Sequence, residues 1–399
     1  MIPLELAFVE PLGRLIARPW AREVTGVAID SRRVEEGDLF VAVGSGSDFA
    51  AHALARGAAA VLVPDDAHAA LAAIAGEIRT RARARVVAIT GSTGKTTTKD
   101  ILAALCRPHL RTVANEGNYN NELGVPLTLC RLEADTELCI AEMAMRGLGQ
   151  IAWLASFAGP DIGVITNVGP VHLELVGTVE NVARGKAELI ESLPPGGVAV
   201  VPDEPLLEPY LTRSDIEIRR VGPLPEVFPL ETSYTARHQL QNTLTALEVC
   251  DVLGVPAPAR LEVTFSPLRE EEHELADGIL LLNDCYNANP LSMRAALAHL
   301  VERAGDRRSV AVLGEMAELG PGAPGYHEEV ARIAADLGVD EVIGVGPLAR
   351  RYVSNGGPWF ATAAEAADEL RGLLRPGDVV LLKGSRAVGL EAVAAKLRG

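Results

Sequence analysis

Lys95 and Thr96 stand directly behind the loop Gly91-Ser-Thr-Gly94. An apolar strand pattern, Val86 to Thr90, runs into that loop, and a helical pattern follows it through Leu105. A strand, a glycine loop and a helix start in this order cradle polyphosphate. Glycines let backbone N–H groups approach phosphate oxygens, and the helix N-terminus adds partial positive charge. In this reading the Lys95 ammonium reaches the β- and γ-phosphates, and the Thr96 hydroxyl ligates Mg²⁺. The loop is the short G-x-x-G-K-T form, because Ile89 stands where the strict G-x-x-x-x-G-K-[ST] pattern has its first glycine.

Lysine usage singles out further residues. Of 37 Lys+Arg only five are lysine, at positions 95, 99, 186, 383 and 396. Arg is always charged and forked, whereas Lys is a compact point charge that can deprotonate and act as a nucleophile. Lys186 and Lys383 are therefore candidates where Arg would not serve. Glu142 ends an apolar run, and His172 follows the next one within Val-His-Leu-Glu. Taken singly these have ordinary readings: a solvated strand end, a structural imidazole, a surface lysine. Taken with the phosphate loop they describe a metal–phosphate site, since Mg²⁺ takes hard oxygen ligands and tolerates an occasional imidazole.

The elements that must hold these groups divide into three units. Residues 1–83 read as a small α/β unit with strand patterns at 24–29, 39–43 and 60–63. The run Arg79-Thr-Arg-Ala-Arg-Ala-Arg85 reads as a helix end and linker. Residues 84–257 alternate apolar runs (86–90, 137–142, 161–167, 197–201) with helical patterns, which implies a mostly parallel sheet. Ligands gather at the carboxyl ends of such strands. Thr96, Glu142 and Asn167 fall at or just past those ends. Val255-Pro-Ala-Pro258 reads as a linker, and residues 258–399 repeat the alternation at 279–283, 309–313, 341–345 and 378–382.

Composition limits the partners. The net charge of −16 speaks against a nucleic-acid backbone, though not against a nucleotide, which needs only a local cationic nest. Five cysteines without a C-x-x-C pair read as reduced, buried thiols of a cytoplasmic protein. No signal peptide and no membrane span are expected.

The chain resembles the ATP-dependent Mur ligases, a family that includes folylpolyglutamate synthetase. The resemblance rests on TGSTGKTTTK (90–99), GNYNNELGVPLTL (117–129), IAEMAMRGLGQI (140–151), ITNVGPVHLE (165–174) and ARGKAEL (183–189). It continues with ARHQLQNTLTA (236–246), NDCYNANPLSM (283–293), VAVLGEMAELG (310–320) and LLKGSR (381–386). The Tyr-Asn-Ala-Asn-Pro, Leu-Gly-Glu-Met-Ala-Glu-Leu-Gly and Asn-Asn-Glu-Leu-Gly-Val-Pro motifs resemble those of the branch that adds D-alanyl-D-alanine to UDP-N-acetylmuramoyl-tripeptide. Alternatives within the fold are the enzyme adding the third amino acid and folylpolyglutamate synthetase; a non-catalytic nucleotide-binding module and a plain P-loop hydrolase are readings of other classes.

The resemblance implies a three-domain α/β architecture. A central P-loop parallel-sheet domain would lie between a UDP-binding domain and a Rossmann-like C-terminal domain. It implies that Gly91, Ser92, Thr93, Gly94, Lys95, Thr96 and Thr97 bind ATP phosphates. Thr96 and Glu142 would hold one Mg²⁺. His172 and Lys186 would lie at a second, with Lys186 carbamylated by CO₂, and Lys95, His172 and Lys186 form the implied catalytic set. Asn242, Arg269, Asp284 and Asn287 would contact the nucleotide. Ser31 and Arg32 would meet the uridine diphosphate end, Asn120 and Asn121 the sugar, and Lys383 the substrate. A cytoplasmic monomer without membrane insertion is expected.

Departures from the family pattern are local. Ser47 stands where a His is common, and His52 is expected to be a helix residue rather than its substitute. The stretch from Leu193 to Tyr234 is short, so part of an accessory sheet is expected to be missing. Pro267-Leu-Arg269 replaces Pro-Gly-Arg, and Gln239 replaces an Asn.

Overall fold

The computed structural model describes residues 1–117, 119–353 and 356–398. Its centre is a six-stranded, all-parallel sheet. In spatial order the strands are Glu217–Val221, Val198–Pro202, Ile162–Ile165, Arg85–Thr90, Leu138–Glu142 and Thr112–Ala114. Alternation along one strand builds both faces of this sheet. Val86 and Ala88 point into a core with Leu129, Leu154 and Ile190. Val87 and Ile89 point into another with Ile101, Leu105 and Val249. Successive side chains of a strand face opposite ways, so a run apolar at every position has to be covered on both sides. Strand Arg85–Thr90 lies where the chain order reverses, between Ile162–Ile165 and Leu138–Glu142. The crevice at its carboxyl end is therefore the place for a ligand.

The first unit pairs Gly26–Ala28, Asp38–Val41 and Ala60–Val63 in parallel, with Arg14–Ala17 antiparallel at the edge. Helix Ala67–Arg81 starts at Asp66, whose carboxylate accepts from the His68 and Ala69 N–H groups at 2.9 and 3.0 Å. Its buried face, Leu71, Ile74 and Ile78, shares one core with Leu39 and Leu62 of the first unit and Leu154 of the central one. The first and central units are thus fused through a common apolar interior.

The third unit carries the sheet Glu271–Glu274, Leu280–Asn283, Val379–Lys383, Ser309–Gly314, Glu341–Val345 and Trp359–Phe360, parallel except for its first strand. Helices cover both faces. The stretch expected to be a linker, 255–258, is followed by more of the central unit. Arg260–Leu261 pairs with Glu231–Thr232, Phe265 stacks edge-on against Tyr234 at 5.3 Å, and the Ser266 N–H donates to Asp100 at 2.9 Å. The crossing to the third sheet comes between Ser266 and Glu271, beyond the boundary expected at 257 and 258. Leu268 and Glu270 take φ of 62° and 53° there. The glycine usual at position 268 has a physical reason, since only glycine enters that region without steric cost.

Candidate active site

Two glycines shape the phosphate loop. Gly91 has φ of 153°, and a Cβ there would lie 1.8 Å from the Thr166 hydroxyl. Gly94 has φ of 76°, and its Cβ would lie 2.5 Å from the Asn242 side-chain oxygen. The residues after strand Ile162–Ile165 hold the loop from below. Asn167 Oδ1 accepts from the Thr93 N–H at 2.9 Å, the Thr166 hydroxyl donates to the Thr93 carbonyl at 2.6 Å, and the Gly169 N–H donates to Ser92 Oγ at 2.9 Å. Lys95 and Thr96 open helix Lys95–Cys106, and Lys95 Nζ donates back to the Gly91 carbonyl at 2.8 Å.

Glu142 closes the neighbouring strand and is fully buried. Asn120 Nδ2 donates to its Oε1 at 2.7 Å, while its Oε2 has no partner among the described residues. A buried carboxylate oxygen with no donor is costly unless a cation or donor completes it. Asn120 and Asn121, expected near the substrate sugar, have other partners here. Asn120 orients Glu142, and Asn121 Oδ1 accepts from the Leu123 and Gly124 N–H groups at 3.2 and 3.0 Å at the start of helix Gly124–Leu129.

Helix Val179–Glu191 starts at Thr178, whose hydroxyl accepts from the Asn181 N–H at 3.2 Å. Lys186 lies on its buried face with Val182, Ala183, Leu189 and Ile190, and is 2% exposed. Burial, and next the charge of Lys95, push its ammonium well below the ordinary lysine range. Burial lowers Lys95 too, opposed by Glu142 and reinforced by Arg269. Burial also lowers His172; Glu318 opposes that, while Lys95 and Lys186 add to it. Lys95 thus lies within electrostatic reach of Glu142, His172 and Lys186, and His172 within reach of Lys186. Among the described residues no cluster of three or more His, Cys, Asp or Glu has metal-binding geometry. A metal here would draw on the Thr96 hydroxyl, one carboxylate and its phosphate ligands.

The third unit roofs this site. A cleft of about 570 Å³ runs from Ser92–Thr97 and Asn242 on the central side to Arg269, Asp284, Asn287 and Lys383 on the other. That volume suits a nucleotide. Arg269 stacks over the Tyr286 ring at 4.2 Å. Lys383, expected at the substrate, is 2% exposed and engaged within its own unit: Nζ lies 2.5 Å from the Asp284 carboxylate and donates to the Asn287 carbonyl at 3.1 Å. It fastens the 284–289 loop that lines the cleft. His238 of the central unit pairs with Glu270 of the third. Burial opposes the charged imidazole, but Glu270 outweighs it and His238 is raised.

In the first unit Ser31 is buried, and its hydroxyl lies 3.0 Å from Nδ1 of His52, which sits in helix Ala50–Ala55. Arg32 is exposed and forks onto Asp30, holding that carboxyl down at about 2. Neither Ser31 nor Arg32 lines the nucleotide cleft. A second cleft of about 530 Å³, at the seam of the first and central units, takes in their neighbours Asp30 and Arg33 with Arg111, Glu116 and Arg131.

The residue-type reading missed Asn115, Glu270 and Glu318. Asn115 Nδ2 donates to the Glu142 carbonyl at 3.4 Å, and Glu318 bonds His172. Only Glu318 left a signal, since it lies in the 310–320 motif.

A parallel-sheet P-loop unit between a fused N-terminal unit and a roofing third unit is the layout of a Mur-type ligase. Family models match as the Mur ligase family catalytic domain over residues 23–106, the Mur ligase middle domain over 89–223, and the Mur ligase glutamate ligase domain over 268–386. The chain belongs to the Mur ligase family. Within it the likeness falls in the MurF branch. The UDP-N-acetylmuramoyl-tripeptide–D-alanyl-D-alanine ligase of Mycobacterium tuberculosis is 36% identical, over 94% of this chain and 92% of that protein. The crystal structure of MurF from Acinetobacter baumannii superposes with a TM-score of 0.88 at 27% identity, over 99% of both chains. MurF from Thermotoga maritima in complex with ADP superposes at 0.81 and 29% identity, over 94% of this chain and 97% of that one.

Proposed function

We propose that the chain ligates D-alanyl-D-alanine to UDP-N-acetylmuramoyl-tripeptide, consuming ATP and yielding UDP-N-acetylmuramoyl-pentapeptide, ADP and phosphate for peptidoglycan synthesis. The observation that supports the chemistry is Lys95, which lines a nucleotide-sized cleft and lies within electrostatic reach of Glu142, His172 and Lys186. The names of the MurF relatives supply the acceptor.

The donor set fits a cation. The Thr96 hydroxyl and the unpartnered Glu142 Oε2 are hard oxygens for one Mg²⁺. His172 and Lys186 fit a second only if Lys186 is an anion, because an ammonium repels the metal. Carbamylation supplies that anion: the neutral amine adds to CO₂, forming an N–C bond and releasing a proton. Burial beside Lys95 favours the neutral amine. Bound Mg²⁺ would neutralise charge on the transferring phosphoryl.

The residues act in sequence. The backbone N–H groups of Gly91–Thr97 hold the phosphates, and Lys95 meets the charge developing on the γ-phosphoryl. The tripeptide carboxylate attacks the γ-phosphorus and ADP leaves, giving an acyl phosphate. The D-alanyl-D-alanine amine adds to the acyl carbon and phosphate departs. Arg269, Asp284 and Asn287 meet the nucleotide from the third unit, which excludes water from the acyl phosphate. In this reading Ser31 and Arg32 keep the uridine end. The reaction runs in the cytoplasm on a monomer; no helix among the described residues is long and apolar enough to cross a membrane.

Phosphate release from ATP with UDP-N-acetylmuramoyl-tripeptide tests this. Release that requires D-alanyl-D-alanine is expected. Release with a single amino acid moves the chain to another branch, and release without acceptor makes it a hydrolase.

A further inference from the structure

The segment 167–176 lies between the phosphate loop and the third unit. On one side Asn167 and Gly169 hold Thr93 and Ser92. On the other, a Cβ on Gly169 would lie 2.2 Å from Leu291 Cδ1, and one on Gly320 would lie 3.2 Å from Glu174 Cα. The centre of this seam is Glu318. Its carboxylate hydrogen-bonds His172 Nδ1, its carbonyl accepts from the Glu174 N–H at 3.1 Å, and Arg146 stands 3.9 Å from its other oxygen. Glu318 and His172 both have left-handed backbones, with φ of 62° and 52°. Neither is glycine, and strained residues of this kind persist only where their surroundings over-determine them.

We infer that Glu318 is a positioning residue that makes the second cation site depend on docking of the third unit. The inference rests on the proposed role of His172 at that site. A carboxylate on Nδ1–H fixes the imidazole tautomer and ring plane, and it leaves the Nε2 lone pair free to ligate. Glu318 reaches His172 only across the seam. An undocked third unit therefore leaves the ring free to turn and to carry its proton on either nitrogen. Linkage makes the effect reciprocal: filling the second site must favour docking by the same factor.

The test counts Mn²⁺ by electron paramagnetic resonance in the intact protein with ADP and bicarbonate. Dyes on Val227→Cys and Glu369→Cys, at exposed positions of the central and third units, report docking. The native chain should bind two ions, and the dye separation should shorten as the second one binds. Glu318→Ala should keep the first ion, which shows the variant folded. It should weaken the second by roughly 10–100-fold, and dye separation should stop responding to it. Glu318→Gln, whose amide oxygen can still accept from Nδ1–H, should recover part of both. If His172→Ala loses the second ion while Glu318→Ala binds it as the native chain does, the inference fails and the reading of His172 stands. If both variants keep the second ion, or the native chain binds only one, the reading of the site fails and the inference with it.

Discussion

Replacing Lys186 by methionine should make the protein more stable while stopping its reaction. Lys186 is 2% exposed on the apolar face of helix Val179–Glu191, and burial together with the charge of Lys95 disfavours its ammonium. Burying a polar group in apolar surroundings costs about 1–3 kcal/mol on protein mutational scales. Methionine matches the length of the stem without the amine, so Lys186→Met should recover about that much. A gain of that size raises the melting temperature of a unit of 150–250 residues by roughly 2–4 °C per kcal/mol. Calorimetry on metal-free, CO₂-free protein measures it. Added bicarbonate should raise the native melting temperature, because a carbamate has a cationic neighbour in Lys95, and should leave the variant unmoved. Turnover should fall by at least about 10²–10³-fold, the cost of losing one preorganised charge at such a site. A variant that melts below the native chain refutes the reading of Lys186 as an uncompensated burial. A variant that turns over at the native rate refutes its place in the reaction.

Gly91→Ala should cost about 2–4 kcal/mol from backbone strain and the lost Thr166–Thr93 bond; ADP titration should show weakened binding, and native affinity would refute the loop geometry. The His238–Glu270 pair gives a pH dependence. The raised His238 contributes stability fully below its unfolded value and loses it as pH rises through its folded one; the lowered Glu270 contributes above its unfolded value and loses that as pH falls. His238 also faces Asp284, Lys383 and His299, so His238→Gln should cost more melting temperature at pH 6 than at pH 9, and equal costs would refute the pairing. Lys383→Met should destabilise the third unit by about 3–5 kcal/mol by leaving Asp284 buried alone. Asp284→Asn added to it should restore melting but not ADP binding; a single variant as stable as the native chain would show that the pair does not fasten the loop.

The strands visible in the sequence were those buried on both faces. Val86–Thr90 and Ser309–Leu313 are apolar at nearly every position because helices cover both sides, and that composition marks them. The strands that left no mark are edges. Glu217–Val221 (EIRRV) and Glu271–Glu274 (EEHE) are half solvated, and their polar residues show no apolar run. The same physics explains the crossing at 266–271. The proline-rich stretch at 255–258 resembles a linker in composition, yet Leu261 and Phe265 still have apolar surface to bury, and they carry the chain back onto the central unit. Residue type marked out Lys95, Thr96 and Lys186 as site candidates, and the structure places Lys95 and Thr96 on the lining of the cleft. The site was illegible where a side chain works through another. Asn121 and Lys383 carry the polar groups a ligand would want, and in the fold they also serve a helix start and the Asp284 carboxylate. Nothing in the spacing distinguishes those uses.

The distribution of apolar contact sets which units move. One core runs without interruption from Leu4 and Leu62 in the first unit to Val201 in the central one, so these two act as a single body. No buried core among the described residues spans the central and third units; the third has its own two. The contacts across that seam include the polar pairs His172 to Glu318, Arg146 to Glu318 and His238 to Glu270, the Glu174 N–H, and a single apolar contact of Leu291 seated on Gly169. Among the described residues, four of the five non-glycine residues with positive φ (His172, Leu268, Glu270 and Glu318) lie along it. Polar pairs and strained backbone give little net stabilisation. An interface of that kind moves by default. A nucleotide that touches Thr96 on one side and Arg269 on the other binds only the docked state with its full contacts. At a hundredfold excess over its dissociation constant such a ligand supplies about 2.7 kcal/mol, enough to shift a seam whose own contacts nearly balance. Docking would then be favoured by the substrate whose phosphoryl group must be kept from water.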